Sequence, residues 1–136
     1  MKQKYFVSSL IASAVLGLGL LTANAADKDL SKIPAASTKK DLSYEKDIRP
    51  ILEKSCFKCH GAEKQKGKLR MDSLEALLKG GENGPIVTKG KGAESPMVQA
   101  VARLVEDDAM PPEGKGDPLS KEQIGLLRAW VDQGAK

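Results

Sequence analysis

Residues Cys56-Phe57-Lys58-Cys59-His60 read CFKCH and hold both cysteines and the single histidine of the chain. Three chemistries use such a cluster. A CxxC pair can be a dithiol redox centre, two thiolates and an imidazole can ligate zinc, and CxxCH is the attachment signature of a c-type haem. Zinc in a structural site takes four ligands, mostly Cys and His, and the chain supplies three, with His60 directly behind Cys59. A thioredoxin-like dithiol needs a strand that leads into a helix beginning at the CxxC. Here a helix-like segment precedes the motif and a charged loop follows it. The haem reading accounts for more: two thioethers require two cysteines on one tight turn, and the adjacent imidazole reaches iron from the proximal side.

The N-terminus bears on compartment. Lys2 and Lys4 precede an apolar run from about Tyr5 to Leu21, and Ala23-Asn24-Ala25 is a small-x-small cleavage pattern. This order predicts a secretory signal peptide over residues 1–25. The alternative is a retained anchor, but the apolar core is short of the roughly 20 residues that a spanning helix needs. The mature chain is expected in the periplasm or outside the cell, with no stable membrane insertion once the signal is removed. Covalent haem attachment fits that route, because it happens outside the bacterial cytoplasm.

Residues 26–43 are polar and contain Pro34, which predicts a flexible lead-in. Residues 44–136 then form one small domain. A domain of that size buries little apolar surface and usually needs a staple. A disulfide between cysteines two residues apart would constrain the unfolded chain little. A covalent haem would supply the missing core. Charge says less: the formal +4 of the precursor falls to +2 when Lys2 and Lys4 leave. Basic and acidic residues are interleaved, and no basic-aromatic stripe points to nucleic acid.

Four short helices are predicted, with little strand signal. The first spans about 44–54, where Tyr44, Ile48, Ile51 and Leu52 form a stripe and Pro50 demands a start or bend nearby. The second spans 73–79, with Asp72 as cap and Glu75 closing a capping box; Gly80 and Gly81 end it. The third begins at Ser95-Pro96 and runs into the acidic Glu106-Asp107-Asp108. The fourth begins after Ser120, with Gln123 closing a capping box, carries the core residue Trp130, and stops at Gly134. The Gly-rich segment 80–92 reads as a long excursion with Ile86 and Val87 pointing inward; it lacks the order of a phosphate-binding loop.

A haem bound through His60 leaves a sixth position, and no second histidine exists to fill it. Met97 lies in an apolar helical face and is explained by packing. Met71 stands next to the second helix. Met110, followed by Pro111-Pro112 in a non-helical segment, is the expected axial thioether, because the prolines restrict the backbone that presents it.

IRPILEKSCFKCHG (Ile48–Gly61), KGKLRMDSLEALLKGGENG (Lys66–Gly84), GKGAESPMVQAV (Gly90–Val101) and MPPEGKGDPLSKEQIGLLRAWVDQGA (Met110–Ala135) together resemble the planctomycete-type cytochrome c domain, a branch of the class I c-type cytochromes. The resemblance covers Tyr44 to Lys136. It implies an all-α fold of about four short helices and long loops wrapped around one covalent haem c. It places the attachment cysteines at Cys56 and Cys59, the proximal ligand at His60 and the distal ligand at Met110. Met71 departs from the leucine expected in an LRLDS motif. The implied function is that of an exported monohaem cytochrome carrying single electrons between redox partner proteins, not an enzyme. Lys58, Lys64, Lys66 and Lys68 are candidates to steer an acidic docking surface. The competing reading is a haem-based gas sensor or small redox enzyme whose sixth ligand is displaceable.

Overall fold

The computed structural model describes residues 28–136. The signal peptide expected over 1–25 lies outside the described residues. Among those described, the fold is all-α, with short helices and no strand. No helix there is long and apolar enough to cross a membrane.

A π-helical turn, Tyr44–Ile48, runs directly into α1, Arg49–Ser55. This geometry resolves Pro50. Proline has no N–H to donate, and it sits in the first turn of α1, where a missing donor is harmless. The chain enters that turn through a wider bond from Arg49 N–H to the Tyr44 carbonyl. The cysteine motif forms α2, Phe57–His60. A 3₁₀ turn, Lys66–Lys68, and α3, Leu74–Lys79, follow. Ser73, not Asp72, caps α3, its hydroxyl accepting from Ala76 N–H. Asp72 is instead drawn into a two-point pair with the Arg70 guanidinium, whose planar fork matches a carboxylate.

Helix α4, Pro96–Val101, starts where expected but stops short of the acidic run. Arg103, at φ 57°, turns the chain out of the helix, and the Ala100 carbonyl accepts from both Arg103 and Met110 N–H. Ser95 precedes the helix without capping it. Its buried hydroxyl accepts from Thr88 N–H at 2.8 Å and faces the Lys91 carbonyl at 3.0 Å, which stitches the Gly-rich excursion to α4. Helix α5, Lys121–Asp132, has the complete Ser120/Gln123 capping box. Gly134, at φ 98°, follows its end.

The core collects on α5. The Tyr44–Ile48 turn and α4 both pack against it. Tyr44, Ile48, Leu52, Val98, Leu127, Trp130 and Val131 are all buried.

Residues 28–43 correct the flexible lead-in read from composition. Ile33 and Leu42 are buried in the core. Ser37 N–H donates to the Gly125 carbonyl at 2.9 Å, Arg128 donates to the Pro34 carbonyl at 2.9 Å, and the Gln133 amide donates to the Lys39 carbonyl at 2.8 Å. The strap is held by two apolar anchors and by α5 donors and acceptors, so its polar composition does not set it free.

The strap also explains a glycine inside a helix. A Cβ at Gly125 would lie 2.7 Å from the Ala35 carbonyl oxygen. Gly125→Ala gains roughly 1 kcal/mol of helix propensity, but overpacking against fixed backbone costs about 1–3 kcal/mol. The expected outcome is net destabilisation in urea unfolding. A more stable variant would show that the strap yields.

Candidate haem-attachment site

Helix α2 is a single turn closed on Cys56, whose carbonyl accepts from Cys59 N–H at 3.0 Å and from His60 N–H at 2.9 Å. Positions three apart on such a turn share a side, so the two thiols are neighbours. Gly61 allows the turn to end abruptly, because a Cβ there would come within 2.5 Å of the Phe57 carbonyl oxygen. Its N–H donates to Lys64, closing the basic loop back on the motif.

The His60 ring is held from behind. Nδ1 donates to the Lys66 carbonyl at 3.1 Å. In the neutral ring this leaves Nε2 with its lone pair free, and it fixes the orientation of the imidazole, which is how a histidine is prepared as a metal ligand. The His60 carbonyl accepts from Met71 N–H at 2.8 Å. The Met71 carbonyl in turn accepts from the Tyr44 hydroxyl at 2.6 Å. This chain of bonds ties α2 to the aromatic core. Burial pushes the Tyr44 hydroxyl up to about 12, so it remains a donor across the physiological range.

Beside α2 lies a cavity of about 390 Å³, within the size of small-molecule and cofactor sites. Cys56 and His60 are on its wall, and Met110 is on it as well, about fifty residues away along the chain. Leu69, Met71, Ile86, Met97 and Val101 supply apolar lining. Cys59 is half-buried on the same turn but is not part of the lining. Burial, and secondarily the neighbouring Cys59, push the Cys56 thiol up to about 11.

The three methionines differ in setting. Met71 is buried, with its backbone tied to His60. Met97 is buried in α4, its N–H donating to the Ile86 carbonyl at 2.9 Å. Met110 is half-buried on a non-helical segment. The Met110-Pro111 peptide bond is cis. Pro111 is buried, and its carbonyl accepts from Arg103 Nη1 at 3.0 Å.

Sequence reasoning missed several features. The Lys66 carbonyl behind His60 is a backbone group and carries no residue signature. Lys28, Asn83, Gln99, Asp107 and Asp108 form a polar edge to the cavity. Lys28 donates to the Gln99 side chain at 3.1 Å, a contact between residues so far apart in sequence that no local pattern predicts it. Ile86, inward-facing as its place in the Gly-rich segment predicts, is on the cavity wall.

A small all-α domain with a CxxCH turn on the wall of an apolar cavity is consistent with a small helical cytochrome-type fold. The family model described as Planctomycete cytochrome C matches residues 56–114, so that stretch of the chain carries a domain of the planctomycete cytochrome c type. Cytochrome c family proteins are typically non-catalytic electron carriers rather than enzymes. No curated protein and no solved structure matches the chain.

Proposed function

We propose that the chain is an exported monohaem cytochrome that carries single electrons between redox partner proteins, with His60 and Met110 as axial ligands. The observation that carries this reading is the convergence of Cys56, His60 and Met110 on one apolar cavity.

The residues present fit a covalently held haem. Cys56 and Cys59 would hold it by thioethers, and the cavity is apolar over most of its wall. When bound, the haem supplies a one-electron iron couple whose potential is set by its axial ligands and by burial. His60 offers Nε2, oriented by the Nδ1 bond to the Lys66 carbonyl. Met110 offers a thioether from a segment anchored by its own N–H to Ala100. Sulfur ligation favours the ferrous state and raises the potential. Leu69, Ile86, Met97 and Val101 exclude water from the site. Two protein ligands leave no open position for a substrate, which separates a carrier from a sensor or enzyme.

Lys58, Lys64, Lys66 and Lys68 are all exposed around the α2 turn. Their clustering supports steering of a redox partner with an acidic surface, with an on-rate that falls as salt rises. The Lys2/Lys4 and Ala23-Asn24-Ala25 pattern supports export to the periplasm or beyond.

The direct test is the intact mass of the secreted protein after denaturation. The expected mass is the peptide beginning near Ala26 plus one haem. Cys56→Ala and Cys59→Ala should each remove one thioether and lower the yield of holoprotein. An unmodified peptide mass from cells competent in cytochrome maturation would overturn the proposal.

A further inference from the structure

We propose that Arg103 is a positioning residue for the Met110 thioether, acting through the Pro111 carbonyl. This rests on the reading of Met110 as an axial ligand.

The backbone makes the first argument. Arg103 has φ 57°, a left-handed conformation that is costly for most side-chain-bearing residues and in which glycine is the default. It is the residue at which the chain leaves α4 and doubles back toward Met110. Glycine would serve the turn at least as well, so the turn itself does not account for arginine.

The side chain makes the second argument. Nη1 of Arg103 donates to the Pro111 carbonyl at 3.0 Å. Two bonds then fix the short Met110 segment to the end of α4. One is the Met110 N–H to the Ala100 carbonyl at 3.0 Å, and the other is the Arg103 guanidinium to the residue directly after Met110. The Pro111 ring is buried, and a Cβ at Gly116 would lie 3.3 Å from it, so the following loop closes over the same point. The Arg103 and Met110 N–H groups share a single acceptor, the Ala100 carbonyl. The left-handed turn and the methionine segment are therefore built on one atom, and the guanidinium closes the ring from the other side.

A bond from a charged donor to a carbonyl holds a loop more firmly than a neutral one. Arg103 is exposed over much of its surface, so its contribution lies at the lower end of the charge-assisted range. The consequence is a shift in the balance between sulfur bound and sulfur released. An added ligand such as cyanide or imidazole competes with the thioether, and its apparent affinity rises in proportion to the fraction released.

The experiment uses the haem-loaded full chain and three substitutions. Arg103→Gly keeps the left-handed turn and removes the guanidinium. Arg103→Leu removes the donor and keeps bulk. Arg103→Lys restores the charge with a single-point donor. For Gly and Leu, the apparent affinity for cyanide should rise roughly five- to tenfold, and exchange of the Met110 amide hydrogen should quicken. Lys should recover part of both effects. Unfolding of the Arg103→Gly variant should stay close to the parent, because its backbone is relieved as its side chain is lost.

Met110→Ala is the control on the underlying reading. If it loses the sulfur-to-iron charge-transfer band while Arg103→Gly and Arg103→Leu leave cyanide affinity and Met110 exchange unchanged, the role assigned to Arg103 is wrong and the ligand assignment stands. If Met110→Ala keeps that band, the ligand assignment fails, and the Arg103 proposal fails with it.

Discussion

Met110→Ala is expected to abolish the near-infrared sulfur-to-ferric-iron band and the strongly shifted methionine methyl signal of the ferrous protein. The reduction potential should fall by something on the order of 0.1–0.2 V, a fraction of the ~0.8 V range over which axial ligation tunes haem. The iron should also become accessible to cyanide and carbon monoxide. Rescue by another sulfur is the obvious objection, since Met71 and Met97 share the cavity. The backbone argues against it. Met71 is held between the His60 carbonyl, which takes its N–H, and the Tyr44 hydroxyl, which donates to its carbonyl. That places its main chain beside His60, the proposed proximal ligand. Met97 is inside α4, and its N–H is committed to Ile86. Neither main chain can move without breaking hydrogen bonds in the interior, and a buried group left unpaired costs about 1–3 kcal/mol. Met71→Leu, which restores the residue expected in the LRLDS pattern, should leave the sulfur signature and the potential nearly unchanged. A native signature in Met110→Ala would transfer the assignment to Met71. Rapid carbon monoxide binding by the unmodified protein, with no sulfur signature, would replace the carrier by a sensor or enzyme with an open sixth position.

Local signals were legible in the sequence where they were sufficient by themselves. Ser120 and Gln123 define a helix start by their own side chains, and the capping box is present. Ser95-Pro96 marks the start of α4. CFKCH marks a tight turn, and that turn is present as α2. Met110 was singled out because two prolines follow it, and it does line the cavity that Cys56 and His60 share. What escaped the sequence was decided by competition or by distance. Asp72 is a good capping residue, but Arg70 two positions earlier pairs with it, and Ser73 takes over the helix. The 28–43 strap is polar, and its fully buried anchors are Ile33 and Leu42, with Leu30 and Ala36 partly buried beside them. These positions do not form a period. The acceptor behind His60 and the one held by Arg103 are backbone carbonyls of Lys66 and Pro111. Every residue has a carbonyl, so no residue type announces which one will be used.

Trp130→Ala is expected to cost about 3–5 kcal/mol, the usual loss on truncating a fully buried large aromatic. That is a large share of the roughly 5–15 kcal/mol that holds a domain together. Trp130 is completely buried. Its ring centroid lies 6.3 Å from that of Tyr44 at a tilt of 46°, within the range where aromatic pairs contribute beyond their area. Its indole N–H donates to the Lys136 carbonyl at 2.8 Å, and the same carbonyl accepts from Tyr44 N–H at 2.8 Å. The end of the chain is thereby pinned between the two aromatic residues. Trp130→Phe separates the terms: it keeps most of the apolar area and loses the indole donor, so its cost includes the ~0.5–1.5 kcal/mol of one hydrogen bond plus the smaller ring. The effect should reach the site, because the Tyr44 hydroxyl is bonded to Met71 and Met71 N–H to His60. Trp130→Ala combined with Tyr44→Phe should therefore fall short of additive, since both weaken one connected unit. Denaturant unfolding of the haem-loaded protein, followed by peptide circular dichroism, measures Trp130→Ala, Trp130→Phe, Tyr44→Phe and the double variant. If Trp130→Ala costs less than about 1 kcal/mol, the aromatic core is not what holds α5 to the attachment turn. Stability would then have to come mainly from the cavity side, the proposed haem site. The same variant measured with and without haem would show this as a loss that appears only when the cavity is empty.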